Sequence, residues 1–101
     1  MSGTANQFSY PRPNLIVNSE GYSVEVHGRD SLLYSERDQS VDIFAEHLIA
    51  ESPTIVVRVG DLRNWRTSDG GLRQVSQSDR PRILANIGTA FSWKGWKLIV
   101  E

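Results

Sequence analysis

From Leu15 onward the apolar residues fall at every second position in short runs, and the period changes only near the C-terminus. Leu15–Val17 opens the series, and Tyr22, Val24 and Val26 alternate with Ser23, Glu25 and His27, the pattern of a strand with one wet face. A turn at Gly28–Asp30 leads to a strand starting at Leu32–Tyr34, and a second turn follows at Glu36–Gln39. Residues Val41–Ala50 fit two templates. Val41, Phe44, Ala45, Leu48 and Ile49 make a helical face behind Ser40, while Val41, Ile43 and Ala45 make a strand face. The flanking connections are too short for a packed crossover, so the segment is read mainly as strand. Ile55, Val57 and Val59 form the next strand, with Val56 on its other side.

The period then shifts. Ile83, Leu84, Ile87, Ala90 and Phe91 recur at i, i+1, i+4, i+7 and i+8, a single apolar stripe that predicts a helix over about Asp79–Trp93. Ser76, Ser78 and Asp79 supply capping chemistry, and Pro81 falls in the first turn, where proline is tolerated. Gly95 is placed to end the helix in the left-handed conformation, and Trp96, Leu98 and Val100 alternate in a last strand. Residues 1–13, polar and holding Pro11 and Pro13, read as a flexible lead-in to one domain over 14–101. The expected fold is α+β: an antiparallel sheet of about five to six strands, one helix packed on one face, and a final strand.

Composition narrows the function. A chain of 101 residues with 39% apolar residues closes one core, and the absence of cysteine excludes disulfides, thiolate zinc sites and thiol nucleophiles. No signal-peptide pattern or membrane-length apolar run is present, so a cytoplasmic protein without membrane contact is expected. Net charge is −1, which argues against a nucleic-acid partner, but the charge is divided along the chain. Residues 1–57 carry eight acids and three bases, and residues 58–101 four acids and eight bases.

Neither phosphate cradle nor hydrolase elbow is found, and no catalytic, metal or cofactor residues are assigned. His47 beside Glu46 looks like an acid–base pair, yet neighbours on a strand point to opposite faces. The stretch GDLRNWRTSDGG, Gly60 to Gly71, sets Trp65 between Arg63 and Arg66. Trp65 is there either a plug for the core or a handle for a partner. With Arg80 and Arg82, those arginines are also the working residues of an alternative, a small RNA-binding or ribonuclease-like domain.

In order, YSVEV (22–26), VDIFAE (41–46), TIVVRV (54–59), DLRNW (61–65), SDRPRILANI (78–87) and GWKLIV (95–100) resemble the bacterial immunity protein family numbered 74 of polymorphic toxin systems. Glu46, Trp65 and the helix–Gly95–strand ending carry most of that resemblance. Ala45 stands where the family often has glycine, and Arg66 and Thr67 where proline is common. The resemblance implies a cofactor-free binding protein that neutralises a cognate toxin encoded by a neighbouring gene. Trp65 is then expected in the core with its indole N–H near the rim, beside Ile83, Leu84, Ile87, Phe91, Gly95 and Trp96 as structural residues. The charge split offers Glu36, Asp38, Asp42, Glu46 and Glu51 as an acidic surface for a basic toxin cleft. If those acids instead pair with the arginines from 58 onward, the loop carrying Arg63 and Arg66 becomes the candidate interface.

Overall fold

The computed structural model describes residues 7–28, 30–48 and 53–101. Among these described residues, nine strands and one α-helix follow in the order β1 (Phe8–Arg12), β2 (Leu15–Asn18), β3 (Tyr22–His27), β4 (Ser31–Glu36), β5 (Gln39–Leu48), β6 (Thr54–Val57), β7 (Asn64–Thr67), β8 (Leu72–Gln74), α1 (Asp79–Lys94) and β9 (Lys97–Val100). The sheet runs β1-β2-β3-β4-β5-β6-β9, with β7 and β8 attached through β5. It is α+β, as the periodicities require, with more strands than the five to six expected.

Each difference has a local cause. Residues 8–12, read as lead-in, form β1 because Phe8 and Tyr10 alternate toward the core, where both pack against the buried cluster. Pro11 is accommodated because the β1–β2 register is irregular between Ser9 and Arg12, so its missing N–H breaks no regular ladder. β7 and β8 pair as a hairpin across the Thr67–Gly71 turn, and β7 docks Thr67 and Ser40-facing Arg66 on the start of β5. The sheet is also not wholly antiparallel: β9 lies parallel to β6, from Thr54 opposite Lys97 to Val57 opposite Val100. A parallel pair needs a long crossover, and α1 belongs to it. β6 stops at Val57, and Val59 turns outward into a short 3-10 turn over Val59–Asp61 instead of extending the strand.

The Val41–Ala50 segment is strand as far as Leu48, and residues 49 and 50 lie outside the described residues. Val41, Ile43 and Ala45 are buried while Asp42, Phe44 and Glu46 face outward, the two-residue alternation that selects strand over helix. On the inner face Ile83, Ile87, Ala90 and Phe91 of α1 are buried against Val24, Leu32, Tyr34, Val41, Val57 and Trp65 in one cluster. Leu84 is only half-buried, at the edge of that stripe, and Val100 is exposed rather than on the covered face expected for it. Gly95 ends the helix at φ 84°, and the Trp96 N–H reaches back to the Phe91 carbonyl at 2.8 Å. No helix among the described residues is long and apolar enough to cross a membrane.

Candidate functional site

Trp65 is fully buried, tilted against Tyr34 at 6.2 Å between ring centroids. β7 delivers it inward because Asn64 and Arg66, its strand neighbours, face out. Its indole N–H donates to Asp79 Oδ2 at 3.1 Å. The same oxygen accepts the Ser76 N–H at 3.1 Å, and Ser76 Oγ accepts the Asp79 N–H at 3.1 Å. That reciprocal pair is a capping box with aspartate in the usual glutamate position. The Trp65 hydrogen bond first, and the Ser76 N–H next, hold the Asp79 carboxyl down from 3.8 to about 2. So the tryptophan is a core plug that also fixes the start of the helix.

From Asp79 a polar chain crosses to the sheet. Arg82 meets Asp79 at 3.1 Å and grips Glu36 with two nitrogens, at 2.7 and 3.3 Å. Glu36 accepts the Tyr34 hydroxyl at 2.8 Å, and that hydroxyl accepts an N–H of Asn86 at 2.8 Å. Burial pushes the Tyr34 phenol well above its usual range, with Glu36 adding to the effect. A cleft of about 250 Å³ opens on this chain, lined by Glu20, Tyr22, Glu36, Arg37, Arg82 and Asn86. Its inner groups satisfy one another, which makes the chain a brace between α1 and β4.

Among the described residues no helix covers the other face of the sheet. There β5 sets Asp42, Phe44, Glu46 and Leu48 in a row, with Phe44 and Leu48 exposed to 44% and 45%. Arg66 lies 3.9 Å from Asp42 and Arg58 lies 3.3 Å from Glu46, so each acid beside the phenylalanine has a cationic neighbour. Asp42, Arg63 and Arg66 share a shallow hollow of about 210 Å³ with Ser40, Asp61, Asn64 and Leu72.

Three of the acids read as free negative charge are thus paired with arginines of the second half: Glu36 with Arg82, Asp42 with Arg66, Glu46 with Arg58. Asp38 stands exposed at the β4–β5 turn, and Glu51 lies outside the described residues. The arginines of the nucleic-acid alternative are engaged too. Arg63 donates to the Gly60 carbonyl, Arg66 faces Asp42, Arg80 donates to the Leu62 carbonyl, and Arg82 holds Glu36. His27 sits 3.1 Å from Glu25 on the outer face, and His47 is exposed. Among the described residues no group of three His, Cys, Asp or Glu could hold a metal ion. The sequence reading missed Phe44 as an outward residue. Its alternation with Ile43 and Ala45 carried that signal, obscured by the helical template that placed Phe44 inside.

No family model matches this chain, and searches of curated proteins and of solved structures return no significant match.

Proposed function

We propose that this protein is a non-catalytic binding protein, an immunity protein that neutralises a toxin encoded by a neighbouring gene. The observation that carries the reading is the outward face of β5, where Phe44 stands exposed between the Asp42–Arg66 and Glu46–Arg58 pairs and Leu48 stands exposed just beyond them. An exposed aromatic among polar pairs is how interface centres are commonly built: the apolar group supplies affinity, and the pairs exclude mismatched partners. The rest of the fold suits that task. The brace from Trp65 through Asp79 and Arg82 to Tyr34 fixes the sheet before any partner arrives, which lowers the ordering cost of association. The ordered motifs that resemble the immunity family point to the same role.

The test is co-expression with the C-terminal domain of the protein encoded by the adjacent gene, followed by gel filtration and a growth-protection assay. A stoichiometric complex and rescue of growth are expected for the native chain. Phe44→Ala should weaken the complex at least tenfold while leaving the melting temperature unchanged. Absence of a complex, or full protection by a folded Phe44→Ala variant, refutes this assignment of the face.

A further inference from the structure

The β4–β5 connection is a two-residue hairpin turn, since Glu36 pairs with Gln39. Such turns favour residues that accept a positive φ, chiefly Gly, Asn and Asp. Here the first turn position is Arg37, at φ 54°, a conformation in which any residue with a Cβ carries a backbone cost. Aspartate follows immediately, so the sequence spends its tolerant residue on the second position. The Arg37 N–H donates to the Gly21 carbonyl at 3.4 Å, which sets the turn against the β2–β3 turn.

Among the described residues, none hydrogen-bonds to or ion-pairs with the Arg37 side chain. Arg12 pairs with Glu25, Arg58 with Glu46, Arg66 with Asp42 and Arg82 with Glu36; Arg63 and Arg80 donate to carbonyls, and Arg73 to Gln39. Among the described residues Arg37 is the one arginine whose guanidinium has no partner. It borders a hollow of about 280 Å³ lined also by Asp38, Gln39, Thr67, Ser68 and Arg73. Two arginines and one aspartate line it, a formal charge of +1 with a serine and a threonine beside them, while Glu20 and Glu36 border Arg37 on its other side in the cleft next to α1.

We infer that Arg37 is an anchor that takes a carboxylate side chain from the protein partner into this hollow. The inference rests on the binding reading above and extends its surface. Arginine is among the residues most enriched at interface hot spots, and its planar fork matches a carboxylate with two hydrogen bonds. Position favours it as well. β5 rises directly from this turn, so Arg37 and Phe44 are separated by about 23 Å along one strand. A standard interface patch of about 800 Å² per partner spans that distance. A residue kept at a strained position for an external contact has a signature that a merely tolerated residue lacks: relieving the strain stabilises the free protein and weakens the complex.

Two variants and two ligands test it. Arg37→Gly should raise the melting temperature by about 2–5 °C, by removing the side chain from the positive-φ position. It should also weaken binding to the neighbouring gene's C-terminal domain at least tenfold. Arg37→Gln keeps the backbone strain without the charge; its melting temperature should stay within about 1 °C of the native chain while binding falls as far. If the native chain binds and both variants bind equally well, the anchor is overturned and the immunity reading stands. If the native chain does not bind that domain, the immunity reading falls. The anchor is then decided by NMR titration at low salt with an acetylated, amidated Glu-Glu dipeptide. A saturable shift of the Arg37 side-chain N–H, lost in Arg37→Gln, sustains it, and no shift in the native chain overturns it. A matching response to inorganic phosphate but not to the dipeptide overturns the carboxylate assignment.

Discussion

Replacing Asp79 by alanine removes one oxygen that serves two elements at once. Asp79 Oδ2 accepts the indole N–H of fully buried Trp65 and the N–H of Ser76 at the head of α1. Losing the first leaves a donor inside the core with no acceptor, a penalty of about 1–3 kcal/mol. Losing the second removes half of a capping box, worth about 0.5–2 kcal/mol. The two losses share an atom and do not add fully, so Asp79→Ala should cost about 2–4 kcal/mol. Asp79→Asn tests the charge separately. An amide oxygen in the same place keeps both hydrogen bonds as neutral ones but sets an NH2 group against Arg82, for about 1–2 kcal/mol.

The pH dependence isolates the charge, because neither variant carries the carboxyl. The folded carboxyl titrates at about 2 against an ordinary 3.8, so the folded form binds the proton more weakly than the unfolded chain. The resulting stabilisation is complete above about pH 5 and drains away as the pH falls through 2. The carboxyl is partly solvated, so screening brings it to about 1–2 kcal/mol. Urea unfolding followed by tryptophan fluorescence at pH 7, 4 and 2.5 measures both effects. The gap between native chain and Asp79→Asn should narrow by about half of that amount between pH 4 and 2.5. A gap independent of pH refutes the charge argument, and an Asp79→Ala cost below about 0.5 kcal/mol refutes the hub itself.

Two further substitutions probe the helix in opposite directions. Ile87→Ala empties a fully buried site on α1 and should cost about 2–5 kcal/mol by the same urea titration, with a cost below about 1 refuting its place in the core. Gly88→Ala should instead stabilise the protein by about 0.5–1 kcal/mol, because a Cβ there meets nothing nearer than the Leu98 Cδ2 at 3.7 Å, an ordinary contact. A lower melting temperature for Gly88→Ala refutes that.

The helix and its buried face were legible because one period runs unbroken from Ile83 to Phe91, with Gly95 ending it. The capping box was legible only in its ingredients, since Ser76 and Asp79 sit three apart. β1 was hidden by Pro11 within it and Pro13 just after it, and by having only Phe8 and Tyr10 to mark alternation. β8 was hidden more completely. Leu72, Arg73 and Gln74 are all exposed, so no burial pattern exists to be read, and the strand exists through its backbone pairing with β7. The parallel β6–β9 pair left no mark on local pattern either; its only sign was the helix-bearing connection between the two. Ion pairs were beyond reach for a different reason. Glu36 and Arg82 are 46 residues apart, and only the docking of α1 on β4 brings them together.

That pairing changes what the divided charge means. A chain with eight acids in its first 57 residues suggests a negative field, but the sheet and helix set arginines of the second half against Glu36, Asp42 and Glu46. Local dipoles replace a long-range field, and screening at physiological salt removes most of what remains beyond about 8 Å. A partner that docks on β5 therefore gains little from steering and must find its affinity in contacts of short range. The groups offering them are the exposed Phe44 and Leu48 and the unpaired guanidinium of Arg37. The paired acids act differently. A partner that buries them must leave their arginines in place or supply equivalent cations, because removing one member leaves a buried charge uncompensated at a cost of about 3–5 kcal/mol. On the proposed binding role, charge in this fold would select among partners more than attract them.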